Sequence, residues 1–336
     1  MIVLSIIIPV YCVEKYIGGC LESIFSQYSY LEKLEVVIVD DGTPDKSMII
    51  VDEYKKRYNN IRVIHQENQG LSAARNNGIA IATGQYIWFV DSDDQLTDNA
   101  FDILFSKFEK KPMDDYLGFD LLGVSEATGD ESVLSIIMSK GLLSYYGKTL
   151  TRKDLLGIGS CPVQRWVFKR DFLISNGLQF HHGIIHEDVE FMGRAKFYAR
   201  SVTVYKETLY RYLQRHQNSI MASLDMNSLR CRDLIINSLL EFKESVSKTV
   251  SDKIFLDGYI AGIIMNLLSS RESVNISDRE YESFVSGKKR KYKKLLLNGL
   301  CAYVYSGYLK TALLTLLAFI SFQSYGCLLG IRKKFK

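Results

Sequence analysis

The chain has 336 residues, 47% hydrophobic and 24% charged, enough to bury a core in one large or two smaller domains and too apolar for a disordered chain. Four prolines and 23 glycines without a fixed period exclude collagen-like, solenoid and low-complexity organisation. Forty-two Lys and Arg against 38 Asp and Glu leave +4, so no nucleic-acid partner is expected and an anionic surface must be met by local clustering. Six cysteines form no C-x-x-C pair and are expected to be reduced thiols. The run MIVLSIIIPVY has no preceding basic stretch and no small-residue cleavage site, so no signal peptide and a cytoplasmic placement are expected.

From residue 1 to about 100, β-branched runs alternate with amphipathic segments. The pattern predicts strands over 3–10, 34–39, 61–65 and 86–90, and helices over 16–28, 47–58 and 71–83. Such alternation implies an α/β fold with an open, mostly parallel sheet flanked by helices, and such sheets bind ligands beyond the C-terminal ends of their strands. Those ends carry Tyr11, then Asp40 and Asp41, then residues 66–69, then Asp91-Ser92-Asp93-Asp94. Asp40 and Asp41 read equally as helix N-caps or as ligand groups. Three carboxylates in four residues repel one another, and a hard divalent cation offsets that repulsion most simply. A metal held this way commonly shares a phosphate-bearing substrate, so a nucleotide diphosphate fits. Neither G-x-x-x-x-G-K-[ST] nor G-x-G-x-x-G follows the first strand, which takes the main support from P-loop and dinucleotide-dehydrogenase readings.

Further along, Trp166 reads as a core residue or as a platform for a sugar ring. His181, His182 and His186 lack a second ligand group at zinc spacing and read as surface or acceptor-lining residues. A helix is predicted from about Glu187, with Val189, Phe191, Met192 and Ala195 inward; by itself this makes Asp188 a first-turn acid favoured by the helix dipole. Strands over 201–205 and 208–212 lead into Arg211, Arg215, His216 and Ser219, an exposed basic turn or a loop that closes over a diphosphate. Beyond about 222 helices are predicted over 226–246 and 253–269. Six cations fill the eight residues 287–294, and 311–331 carry no charge over a length of 21 residues, about what spans a bilayer.

The segments SIIIPVY at 5–11, VVIVDDGTPD at 36–45, ENQGLSAARNNGIAIATGQYIWFVDSDD at 67–94, HEDVEF at 186–191 and YRYLQRHQNSI at 210–220 resemble, in order and spacing, the family 2 glycosyltransferases of the GT-A fold. The resemblance covers roughly residues 3–220. It implies a Rossmann-like sheet with a C-terminal helical extension here, and transfer of a sugar with inversion from a nucleotide-sugar, UDP-linked in many members, to a hydroxyl. Carried over by position, it implies that Pro9, Val10 and Tyr11 lie against the base and that Asp41 hydrogen-bonds uracil. Arg75 would sit near the base or phosphates. In the D-x-D motif Asp91-Ser92-Asp93, Asp91 would face the ribose and donor sugar, and Asp93 with Asp94 would hold Mn2+ or Mg2+. Glu187-Asp188 resembles the family's late acidic pair, whose Asp is the general base, and Arg211 and Ser219 match its closing motif. Cys12 stands where the family commonly has Asn, and Thr43-Pro44-Asp45 where it has Ser-Thr-Asp.

These residue types suit the chemistry, because a leaving diphosphate needs its growing charge stabilised and an acceptor hydroxyl needs a base. The expected division is a nucleotide-sugar-binding half at 1–100, an acceptor-binding and catalytic half at 101–221, and a helical, membrane-associating region at 222–336. A cytoplasmic donor conflicts with a span that exports the cations of 332–336, so helices lying on the inner, anionic face of the cell membrane are expected. A re-entrant or spanning helix and a dimerisation surface forming a homo-oligomer stay open. The acceptor expected there is a glycan, lipid-linked, in capsule, O-antigen or exopolysaccharide synthesis. A nucleotidyltransferase of related fold would need a Gly-rich loop where Ile8-Pro9-Val10-Tyr11 has none. A non-catalytic membrane scaffold would be favoured by loss of an acid at 93 or 188, and both are present.

Overall fold

Runs of β-branched residues buried on both faces build the frame, as a parallel sheet covered by helices requires. The computed structural model describes residues 1–110, 114–136, 140–159, 162–215, 225–270 and 275–320. In it β1 (Leu4–Val10), α1 (Ile17–Phe25), β2 (Leu34–Asp40), α2 (Ser47–Arg57), β3 (Ile61–His65), α3 (Leu71–Ile81) and β4 (Tyr86–Phe89) follow one another. β1 pairs in parallel with β2 and β4, Leu4 lying opposite Leu34 and Tyr86, and β2 pairs in parallel with β3. Ile17, Leu21, Ile24 and Phe25 of α1 are buried, as their spacing predicts. Gly78 lets α3 approach β1, since a Cβ there would lie 2.4 Å from Ile7 Cγ2.

The sheet continues through β5 (Gln95–Leu96), α4 (Ala100–Lys110), β6 (Tyr116–Ser125), β7 (Glu131–Leu134), β8 (Thr149–Leu150), α5 (Arg152–Gly157), β9 (Trp166–Lys169), α6 (Arg170–Ser175), α7 (Glu187–Tyr198) and β10 (Val202–Gln214). Among the described residues it runs β3-β2-β1-β4-β9-β6-β10-β5, with β7 on β6 and β8 on β10. β9 is antiparallel to both β4 and β6, while β10 is parallel to β6, so the sheet is mixed and mostly parallel. The two strands expected over 201–205 and 208–212 are one; the polar residues between them sit at register shifts after Tyr205 and Thr208. Trp166 is fully buried, edge-on to Tyr116, and therefore belongs to the core. At the other end of the sheet, buried Glu35 accepts from Ser5 Oγ, from the Thr83 and Gly84 amides and from Arg62, joining the starts of β1 and β2 to the turn before β4.

The chain divides into two units, Met1–Thr151 with Ser160–Gly183 and Tyr198–His216, and Arg152–Gly159 with Ile184–Phe197 and Gln217–Lys336. The first holds every strand of the sheet among the described residues. The second adds α8 (Met226–Val246), α9 (Val250–Ser269), α10 (Asp278–Ser306) and α11 (Leu309–Ile320). Capping boxes of Asp225 with Ser228, Thr249 with Asp252 and Ser277 with Glu280 start α8, α9 and α10. The basic run at 287–294 lies within α10 and is partly consumed there. Asp233 of α8 takes Lys288 at 2.6 Å, Lys291 at 3.1 Å and the Tyr292 hydroxyl at 2.8 Å. No helix among the described residues is long and apolar enough to cross a membrane.

Candidate functional site

The loops after β1, β2 and β3 are tied together by short polar side chains. Tyr11, 46% exposed, is the first residue past β1; Pro9 and Val10, expected against a base, are buried within the strand, which is covered on both faces. Cys12 has φ 54, a left-handed conformation in which Asn costs less than Cys, and its amide donates to Thr43 Oγ1 at 2.8 Å. Asp40 accepts from the Thr43 amide at 2.9 Å and faces His65 Nδ1 at 2.9 Å. Buried Asp41 accepts from Gln66 Nε2 at 2.7 Å and from the Gln69 and Gly70 amides at 2.8 and 2.9 Å, so its carboxylate fastens the turn that opens α3. Gly42, which follows Asp41, has φ 68, and a Cβ there would sit tightly, 3.1 Å from the Asn68 nitrogen.

The acids after β4 form a compact cluster of carboxylates. One ligand atom from each of Asp91, Asp93 and Asp94 lies within 4.8 Å of the others. Asp91 receives Arg75 Nη2 at 2.7 Å on one oxygen and Gln164 Nε2 on the other. Arg75, on α3, is buried and stacks 5.2 Å over the Phe180 ring. Asp93 pairs with Arg215 Nη2 at 2.7 Å. Burial first, and then the Asp91 charge, raise the Asp93 pKa against the pull of Arg215. Asp94, expected as a metal ligand beside Asp93, is 2% exposed and has both oxygens engaged, by the Tyr210 hydroxyl at 2.6 Å and the Leu213 amide at 2.7 Å. It anchors the acidic turn to β10. Burial, then Asp93 and Asp91, push its pKa well up.

Of the closing-motif residues, Arg211 lies within β10, which runs two residues beyond its expected end, and pairs with Glu131 at 2.6 Å. Arg215 is the cation that reaches the acids. Ser219 and His216 lie outside the described residues. Ser92 is buried in the acidic turn. Three contributors were not visible in the sequence: Tyr210, whose hydroxyl also accepts the Asp91 amide at 3.1 Å; Gln164; and Tyr16, whose ring lies 5.3 Å from Arg215. The Gln164 Oε1 is buried without a hydrogen-bond partner, and its amide is oriented by the need to turn Nε2, not Oε1, toward a carboxylate.

In the second unit Glu187 and Asp188 occupy the first turn of α7, half-buried, with Glu190 behind them paired to Arg194. His186 precedes them at φ 66, and its carbonyl accepts the Val189 amide at 3.0 Å. Its Nε2 is buried without a partner; burial, then the Arg232 charge, lower its pKa to about 4. In the first unit His181 Nδ1 meets the His182 carbonyl at 2.8 Å and His182 Nε2 meets Asn76 at 3.3 Å. Cys12, Cys20, Cys231 and Cys301 are free thiols; Cys161 and Cys327 lie outside the described residues.

Residues 5–175 match glycosyl transferase family 2, and the chain belongs to that family. It is 30% identical over 227 residues to the glycosyltransferase YibD of Escherichia coli strain K12, covering 62% of this chain and 60% of YibD. It is 31% identical over 222 residues to the poly(ribitol-phosphate) beta-glucosyltransferase of Bacillus spizizenii, covering 65% of this chain and 33% of that protein. The chain thus spans less than two thirds of the length of these curated relatives. Residues 1–349 of S. aureus TarS, solved with UDP-GlcNAc, share the GT-A fold with a TM-score of 0.67 at 21% identity, over 97% of this chain and 89% of that one.

Proposed function

We propose that the chain is an inverting, metal-dependent glycosyltransferase. It moves a sugar from a UDP-linked donor to a hydroxyl of a growing, lipid-linked glycan at the inner face of the cell membrane, in synthesis of a cell-surface polysaccharide. The observation that carries this reading is the acidic turn after β4, braced by Arg75 on one side and Arg215 on the other. TarS was solved with UDP-GlcNAc, which supports a UDP-sugar as donor. The named activity of the Bacillus spizizenii relative supports a cell-surface polymer as acceptor.

In this reading Tyr11 offers its exposed ring to the base, and Asp91 meets the ribose and sugar hydroxyls. The donor set suits a hard cation: a partly exposed Asp93 with raised pKa, beside Asp91, would hold Mn2+ or Mg2+. When bound, such an ion supplies Lewis-acid stabilisation of the departing diphosphate. Arg215, released from Asp93, pairs with a phosphate oxygen. The acceptor hydroxyl attacks C1 and gives its proton to the Asp188 carboxylate as the bond from C1 to the diphosphate oxygen breaks; base assistance of this kind is worth roughly 100- to 10,000-fold.

Calorimetric titration of UDP with and without Mn2+, followed by a panel of UDP-sugars assayed for slow donor hydrolysis, tests the proposal. Metal-enhanced UDP binding and turnover of at least one donor are expected. Binding without turnover would favour a scaffold, and the absence of any metal effect would remove the reading.

A further inference from the structure

The α11 helix turns small residues inward and large apolar ones outward, and the second half of α10 adds exposed apolar groups outside its own buried face. α11 buries Ala312, Thr315 and Ala318, with Thr315 Oγ1 donating to the Thr311 carbonyl at 2.8 Å, and leaves Leu309, Leu313 and Ile320 exposed by 68, 56 and 66%. On α10, Tyr292, Leu295, Leu296, Gly299, Ala302 and Tyr303 face inward. The opposite face, at positions 290, 294, 297, 301, 304 and 305, is exposed and spans about 100° of the helix circumference. This stripe begins with the cations Arg290 and Lys294 and continues into Leu297, Cys301, Val304 and Tyr305.

The charges on this helix are sorted. Asp233 neutralises Lys288 and Lys291, whereas Lys289, Arg290 and Lys294 are exposed and form no ion pair among the described residues. Apolar side chains that continue a stripe of unpaired cations match a lipid surface, where the cations meet phosphate headgroups and the apolar groups enter the acyl boundary. A second copy of the chain fits less well, because its face would bring like charges together.

We infer that the exposed faces of α10 and α11 are the surface by which the protein docks on an anionic bilayer. The inference deepens the proposed function, resting on it for the lipid-linked acceptor that makes docking useful, but the surface itself is argued from exposure and charge.

Flotation of the full chain with vesicles of phosphatidylcholine, with and without phosphatidylglycerol, tests it. The wild-type chain is expected to float with the anionic vesicles. The pairs Arg290→Glu with Lys294→Glu, and Leu309→Gln with Leu313→Gln, are each expected to weaken partitioning at least ~10-fold. Circular dichroism melts check that both variants stay folded. Undiminished flotation of both folded variants overturns the inference. So does a wild-type chain that fails to float but sediments as a dimer that the variants abolish. Hydrolysis of UDP-sugars in lipid-free solution is read separately: its absence counts against the transferase reading and leaves the docking result standing.

Discussion

The Tyr210 hydroxyl donates a 2.6 Å hydrogen bond to the Asp94 carboxylate across 116 residues of sequence, and both groups are buried. The same oxygen accepts the Asp91 amide, so one phenol on β10 fixes both ends of the acidic turn. Tyr210→Phe leaves a buried carboxylate short of a donor. A loss of about 1–3 kcal/mol in urea unfolding is expected, together with weaker metal-dependent UDP binding. An unchanged unfolding midpoint would mean that the bond contributes nothing.

Arg215 and a divalent cation would compete for Asp93. Arg215→Met is therefore expected to tighten Mn2+ binding in the absence of nucleotide while weakening UDP, and Asp93→Ala to abolish the metal effect on UDP. Calorimetry of the metal alone separates the two. Equal Mn2+ affinity in wild type and Arg215→Met would show that the ion pair does not guard the site.

Asp188→Asn keeps the shape of the first turn of α7 while removing its capacity to accept a proton. Donor binding is expected to survive and turnover to fall at least ~100-fold. Full turnover in this variant would assign the base elsewhere.

Cys12 holds a left-handed backbone that Asn adopts at lower cost. Cys12→Asn should stabilise the chain by about 0.5–1 kcal/mol, visible as a higher melting temperature. A melting temperature that stays level or falls would show that the thiol makes a compensating contact.

His186 is held neutral, its pKa lowered from 6.5 to about 4 by burial and then by Arg232. Between those values the unfolded chain binds a proton that the folded chain refuses, so stability rises with pH. The contribution is complete above about pH 6.5 and is lost as pH falls toward 4. A slope on the order of 2 kcal/mol across that window is expected in denaturant unfolding, and His186→Asn should flatten it. An equal slope in both proteins would place the titrating group elsewhere.

Much of the first unit was legible because its information is local. β1 to β4 follow from β-branched runs, and the acids after β4 fall within four adjacent positions. What the sequence hid depends on partners distant along the chain. Gln164 and Tyr210 look ordinary until folding brings them to Asp91, and the bonds from Tyr210 and Leu213 to Asp94 span more than a hundred residues. Arg211 and Arg215 look alike in the sequence, and only the folded chain shows that one meets Glu131 and the other Asp93. The basic run of α10 misleads in the same way, since its split depends on Asp233 of another helix.

Glu35, at the start of β2, and the acidic turn, past the end of β4, lie at opposite ends of the parallel strands, and their pKa values shift in opposite directions. Burial alone would raise the Glu35 pKa, but bonds from Ser5, Thr83 and Arg62 bring it below the ordinary value, whereas Asp93 and Asp94 are raised. On acidification the turn therefore protonates while the rivet at the far edge still holds. Mild acid is therefore expected to discharge the turn while the Glu35 carboxylate keeps its charge and its donors.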